Sequence, residues 1–281
     1  MAAMRSTTRT RFVNAILVVL TGISFGVAHI PGPAGAQEAS RVVTVDMFES
    51  SLRTHQKDVT EFEYIRQEAE RLGVRVWLFG GTAAAYAHYV KWDELRKLGD
   101  HRYQPDRFDY DFTNIYRANQ DLDVVVDGPA SAIDQLRARL QSKFPNFLGN
   151  KTKWDVRSLT ESRGTPGSRG YQEALKGDFN FLNQHSDSNS TGMIELTDAN
   201  EPIIRDLRNW DSRYPKFTHD VMGGKVHFYY SPRHFETERA KNGMNPEILS
   251  VVRAFTKAFQ FELEIAPESV PAMKKIVDEF D

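Results

Sequence analysis

Apolar residues recur at helical spacing through residues 46–72. Phe48, Leu52, Val59, Phe62, Ile65, Ala69 and Leu72 fall mainly three and four apart, with charges between them. The pattern predicts one helix, stopped by Gly73. The period then changes. Val74-Arg75-Val76-Trp77-Leu78-Phe79 is a short β-branched and aromatic run, which predicts a strand. Gly80-Gly81 ends it, and Thr82 is placed to cap a helix reaching about Leu98. Residues 99–119 are rich in Asp, Arg and Tyr and read as a loop, with a short strand near 112–116. Residues 122–126 form a buried-type strand closed by the turn Asp127-Gly128-Pro129. An amphipathic helix follows over 130–144, with Ile133, Leu136, Leu140 and Phe144 on one face. Further strands are expected at 154–159, 177–182 and 192–196, the last two joined by a polar turn. Helices are expected at 245–260, with Pro246 in the first turn, and from about Glu268. This order gives an α/β fold: one mixed domain with a helical C-terminal extension.

The first 36 residues are of a different kind. Arg5, Arg9 and Arg11 precede an apolar run over 12–30, and Ala34 and Ala36 supply the small residues of a signal-peptidase site. The expectation is a signal peptide over 1–36, cleaved after Ala36, and a periplasmic or secreted product. An uncleaved anchor stays open, because the run is just long enough to span a bilayer. Removing this segment takes away three arginines and no acid, which moves the formal charge from -2 to -5. Such a balance gives no global attraction to nucleic acid. The chain has no cysteine, which excludes disulfides, thiolate metal sites and cysteine nucleophiles. The histidines, His55, His88 and His227 among them, show no metal-like pairing along the sequence.

Two short motifs carry candidate chemistry. Gly80-Gly81-Thr82 lies between a predicted strand and helix, where glycine lets the backbone approach a ligand and the helix N-terminus offers N–H groups to phosphate. Asp121-Leu122-Asp123 opens an apolar strand. Residues two apart share a strand face, so Asp121 and Asp123 put two carboxylates together, which is costly unless cations such as Mg²⁺ offset them. Asp127 has the same parity but belongs to a turn; Asp109 and Asp111 sit among aromatics; Asp155 is a candidate third carboxylate.

In this combination the sequence resembles the head domain of the class II nucleotidyltransferases, the bacterial poly(A) polymerase and CCA-adding enzyme family. Their pattern is a strand, G-G, a helix, then D-x-D. Gly177-Asp178-Phe179-Asn180-Phe181 is similar to the family's R-R-D-F-T-I-N segment. Asn245-Pro246-Glu247-Ile248-Leu249 is similar to its E-D-P-x-R helix. The resemblance implies a nucleotidyltransferase-type, polymerase beta-like mixed sheet flanked by helices. It divides the chain into a head domain over 37–240 and a neck-like helical extension over 241–281. It implies transfer of a nucleoside monophosphate from an NTP to a hydroxyl acceptor, an RNA 3′ end in the family. Asp121 and Asp123 would be catalytic and hold Mg²⁺ or Mn²⁺, Gly80, Gly81 and Thr82 would bind the nucleotide, and Asp178 would lie near its ribose. The chain also departs from the pattern. Ala84 stands where the family has a triphosphate-binding arginine, and Met244, Asn245 and Ile248 stand at the base-reading positions. Lys91, Arg102, Arg107 and Arg117 are the candidates to supply the missing charge. Two other readings stay open: a catalytically silent binding or interaction protein, and a transferase acting on protein or small-molecule acceptors.

Overall fold

A computed structural model describes residues 42–99, 121–145, 153–159, 192–199, 203–206, 217–228, 246–261 and 263–279. The segments over 1–36, 112–116 and 177–182, and with them the expected signal peptide, loop strand and Asp178, lie outside these residues.

The helix expected over 46–72 is two helices, α1 (Val45–Gln56) and α2 (Thr60–Leu72). The side chain of Thr44 caps α1 by accepting from the Met47 N–H at 3.2 Å. After Gln56 the backbone tightens to three-residue bonds, Lys57 N to Thr54 O and Asp58 N to His55 O, and Val59 turns extended. Neither Gly nor Pro marks the break, so the hydrophobic period ran through it. The bend lets Phe48 and Leu52 of α1 and Phe62 and Ile65 of α2 all reach one core. Gly73 ends α2 in the left-handed region at φ 65°, and Val74 N bonds back to Ala69 O at 3.0 Å.

The remaining elements are β1 (Arg75–Leu78), α3 (Gly80–Lys97), β2 (Asp121–Asp127), α4 (Ala130–Lys143), β3 (Lys153–Ser158), β4 (Gly192–Glu195), β5 (Ile204–Asp206), α5 (Phe217–Gly223), β6 (Lys225–Val226), α6 (Pro246–Gln260), β7 (Glu264–Ile265) and, after a 3₁₀ turn, α7 (Val270–Asp278). Five strands form one mixed sheet in the order β3-β2-β1-β4-β5; β2 and β3 run parallel and the other pairs antiparallel. The fold is thus a mixed α/β sheet flanked by helices with a short helical C-terminal part, as expected. The short elements β5, α5, β6 and β7 were not anticipated, since none is long enough to display a period.

Alternation along the strands buries both faces. Val76, Leu78, Leu122, Val124, Val126 and Ile194 enter the main core, while Trp77, Val125, Met193 and Leu159 form a second cluster on the other side. Central α3 is enclosed: Ala83, Ala84, Ala85, Tyr86 and Ala87 have no exposed surface. Its small side chains let α1 approach closely, and the Tyr86 hydroxyl donates to Leu52 O at 2.5 Å. The C-terminal helices pack on their own cluster, which includes Val226, Ile248, Val251, Ala254, Met273 and Val277. Parallel pairing of β6 with β7 ties them to the strand after α5. Among the described residues no helix is long and apolar enough to cross a membrane.

Candidate active site

The antiparallel register of β1 with β2 sets Leu78 opposite Val124. One step further, the Phe79 N–H donates to Asp123 O at 3.0 Å. The chain must then leave the sheet and start α3. Gly80 makes this turn at φ +58°, a conformation that side-chain-bearing residues rarely adopt. The turn lands on β2: a Cβ on Gly80 would lie 3.0 Å from Asp123 Oδ2 and 3.7 Å from its Cγ. Glycine at this position therefore leaves space that the Asp123 carboxylate occupies.

A second tie comes from Thr82. The sequence placed it as the helix cap, but α3 begins at Gly80 and Thr82 lies inside the first turn. Its buried Oγ1 instead accepts from the Asp123 N–H at 3.0 Å. Turn and strand are thus joined by Phe79 N–H to Asp123 O and by Asp123 N–H to Thr82 Oγ1. Gly81 and Asp123 remain half-exposed, so the junction opens to solvent on one side. An α-helix leaves its first N–H groups without intrahelical partners and with partial positive charge. Here that helix end lies beside a carboxylate.

Position 121 lies two residues before Asp123 in β2, on the same strand face. The parallel register of β2 with β3 sets Asp123 opposite Asp155 and Asp121 opposite Lys153. Asp127 is at the far end of β2, opposite Arg75, and enters the Gly128-Pro129 turn, away from the junction. Asp178, Asp109 and Asp111 lie outside the described residues, as do Met244, Asn245, Arg102, Arg107 and Arg117.

The departures noted in the sequence have a structural counterpart. Ala84 is completely buried in the main core, so its position faces packed side chains. Ile248 is 8% exposed and belongs to the C-terminal apolar cluster. Lys91 is buried, and its Nζ lies 3.5 Å from where a Cβ of Gly224 would be. It stands eleven residues beyond Gly80 on α3, about 16 Å along the axis. It therefore lies well away from the Gly80 turn.

Histidines that looked unpaired along the sequence are paired in space. His55 Nε2 meets Asp93 Oδ2 at 2.8 Å across the α1–α3 seam. His227 lies between Asp220 Oδ1 and Glu268 Oε1, each at 2.8 Å. Burial alone would depress the His227 pKa, but the bond and charge of Asp220, helped by Glu268, leave it raised. His88 is the opposite case. It is fully buried, stacked on Phe261 at 5.0 Å, and neither ring nitrogen has a hydrogen-bond partner among the described residues. Desolvation, with the charges of Lys91 and Lys257, lowers its pKa to about 3.

No family model matches the chain, and no curated protein does. Among solved structures, the chain is similar to a CCA-adding enzyme in complex with CTP, at 15% identity and TM-score 0.47, over 82% of this chain and 46% of that one. It is similar to a CCA-adding enzyme in complex with ATP at 15% identity and TM-score 0.44, over 82% and 44%. It is also similar to an apo form of a tRNA-processing enzyme at 16% identity and TM-score 0.39, over 76% and 48%. The chain spans less than half the length of each of these structures.

Proposed function

We propose that this protein is a metal-dependent nucleotidyltransferase that moves a nucleoside monophosphate from an NTP to a hydroxyl acceptor. The observation that carries the reading is the packing of Asp123 against Gly80 at the first turn of α3. It sets a carboxylate beside a ready anion-binding helix end. Those two neighbours repel an anion and attract one respectively, and a divalent cation reconciles them by lying between carboxylate and phosphate. The donor set fits Mg²⁺ or Mn²⁺, which favour hard carboxylate oxygens. Asp121 and Asp123 would hold the ion, and the N–H groups of Gly80, Gly81 and Thr82 would receive the β- and γ-phosphates. When bound, the ion supplies charge stabilisation at the phosphates and eases ionisation of the attacking hydroxyl.

The protein's own part is positioning. Thr82 fixes the backbone of Asp123, and Gly80 leaves its carboxylate room. The acceptor oxygen attacks the α-phosphorus, the bond to the β-phosphate oxygen breaks, pyrophosphate leaves, and the hydroxyl proton passes to solvent. Asp178 is proposed beside the ribose. An RNA 3′ end is the acceptor that the resemblance implies; the charge of -5 after loss of residues 1–36 points instead to an acceptor that is not a polyanion. Export with cleavage after Ala36 is part of the proposal.

A second reading is a catalytically silent binding protein, favoured by the burial of Ala84 and Ile248 where triphosphate and base contacts would be needed. One assay separates the two. The chain is incubated with each α-labelled NTP, Mg²⁺ or Mn²⁺, and RNA, protein or small alcohol acceptors. The enzyme reading expects label transfer that falls by about two orders of magnitude in Asp121→Asn and Asp123→Asn. Absence of transfer to every acceptor, together with no metal-dependent thermal shift by NTP, overturns it. NTP binding without transfer supports the silent reading.

A further inference from the structure

A second group of charged side chains lies along the seam between α1 and α3. His55 is 6% exposed and Glu94 7%. Ligand atoms of His55, Asp93 and Glu94 all lie within 4.8 Å of one another. The ring of His55 is held from both ends. Nδ1 is 2.8 Å from the Ser51 carbonyl, and Nε2 is 2.8 Å from Asp93 Oδ2. A carbonyl oxygen only accepts, so Nδ1 carries a hydrogen. That leaves Nε2 facing a carboxylate, which also only accepts. A metal ion on Nε2 would satisfy ring and carboxylate together.

The surroundings suit such an ion. A metal-binding histidine usually gives its other ring N–H to a backbone carbonyl, carboxylate or water, as Nδ1 does here with Ser51. A cation position already exists: Lys97 Nζ lies 2.8 Å from both Asp93 Oδ2 and Glu94 Oε1. Arg96 also pairs with Asp93. The Lys97 side chain is 52% exposed, so its ammonium can move into water when a stronger cation arrives. One imidazole and two carboxylates, completed by water, form a ligand set suited to Zn²⁺. Binding would spread the ligands by a few tenths of an ångström to meet metal bonds of about 2.0–2.2 Å.

We propose that His55, Asp93 and Glu94 form a Zn²⁺-type site that clamps α1 to α3. Asp93 is thirteen residues beyond Gly80 on the same helix, about 20 Å along its axis. The site is therefore separate from the junction of Gly80 with Asp123, and the inference does not depend on the reading of that junction.

The test uses the full chain with any affinity tag removed, stripped by chelator and held in excess Mg²⁺ to fill hard-oxygen sites. Zn²⁺ is titrated against a competing indicator, and Co²⁺ is added separately to read ligand-field absorption. The expected result is one equivalent bound, with affinity reduced at least about tenfold in His55→Ala and Asp93→Asn. Asp123→Asn leaves it unchanged. Lys97→Met, which removes the competing ammonium, tightens binding, a gain that a misfolded variant cannot imitate. Absence of stoichiometric Zn²⁺ and Co²⁺ binding overturns the proposal. So does binding that is indifferent to both His55→Ala and Lys97→Met.

Discussion

Replacing Gly80 by alanine tests whether the glycine turn sets the position of Asp123. Two separable penalties follow from the geometry. The first is conformational: at φ +58° an L-residue costs about 1–2 kcal/mol relative to glycine. The second is steric: the new Cβ would stand 3.0 Å from Asp123 Oδ2, closer than an ordinary contact, so the carboxylate must retreat by a few tenths of an ångström. Gly73 offers a matched control. It has a similar φ, +65°, but nothing lies within 4 Å of its would-be Cβ. Gly73→Ala thus carries the first penalty without the second. Gly73→Ala is expected to lose about 1–2 kcal/mol in thermal unfolding, read as about 2–4 °C of Tm per kcal/mol, and Gly80→Ala at least as much. Only Gly80→Ala is expected to lose NTP transfer, by about tenfold or more, because catalytic groups tolerate displacements of no more than about half an ångström. Equal transfer by Gly80→Ala and Gly73→Ala would show that the glycine turn does not set the position of Asp123.

Three further outcomes are expected. Thr82→Val keeps the shape but removes the acceptor of the Asp123 N–H, so it should cost about 1–3 kcal/mol by urea denaturation, while Thr82→Ser restores most of that; equal losses would contradict the hydrogen bond at Oγ1. His88, with its pKa lowered to about 3, is neutral in the fold but binds a proton when unfolded below about pH 6.5, so its stability contribution is present above that value and lost as pH falls. The wild type should lose about 2 kcal/mol more than His88→Phe between neutral pH and about pH 5; parallel pH profiles would contradict this. His227 works with the opposite sign: its raised pKa gives stability that is full below the unfolded value and lost as pH rises through the folded one. The destabilisation by His227→Gln should therefore shrink toward alkaline pH, and a constant difference would count against the Asp220–His227–Glu268 arrangement.

Much of the fold was legible because its long elements repeat their pattern. The alternation of β1 and β2 and the faces of α4 and α6 emerge within a residue or two of where periodicity put them. The break between α1 and α2 was not, since its turn uses Lys57, Asp58 and Val59 in place of Gly or Pro. At the candidate site, the shared parity of Asp121 and Asp123 and the turn at Gly80 could be read locally. What could not be read was long-range. The contact of Gly80 with Asp123 spans 43 positions and depends on antiparallel register. Thr82 reads locally as a cap, because its partner, the Asp123 N–H, is brought in by the same register. His55 and Asp93 are 38 positions apart, on different helices, so no spacing rule would join them. Ala84 could be recognised as the loss of an arginine, but its burial follows only from the enclosure of residues 83–87 of α3.

In the proposed function, an NTP and its cation meet at the junction of Gly80-Gly81 with Asp123. A crystal structure with Mn²⁺ and a non-hydrolysable NTP tests it directly. The expected result is an anomalous peak about 2.1 Å from an Asp123 carboxylate oxygen, with the triphosphate at the first turn of α3. Triphosphate bound elsewhere, or an Asp123 carboxylate without metal while the nucleotide is bound, would contradict it.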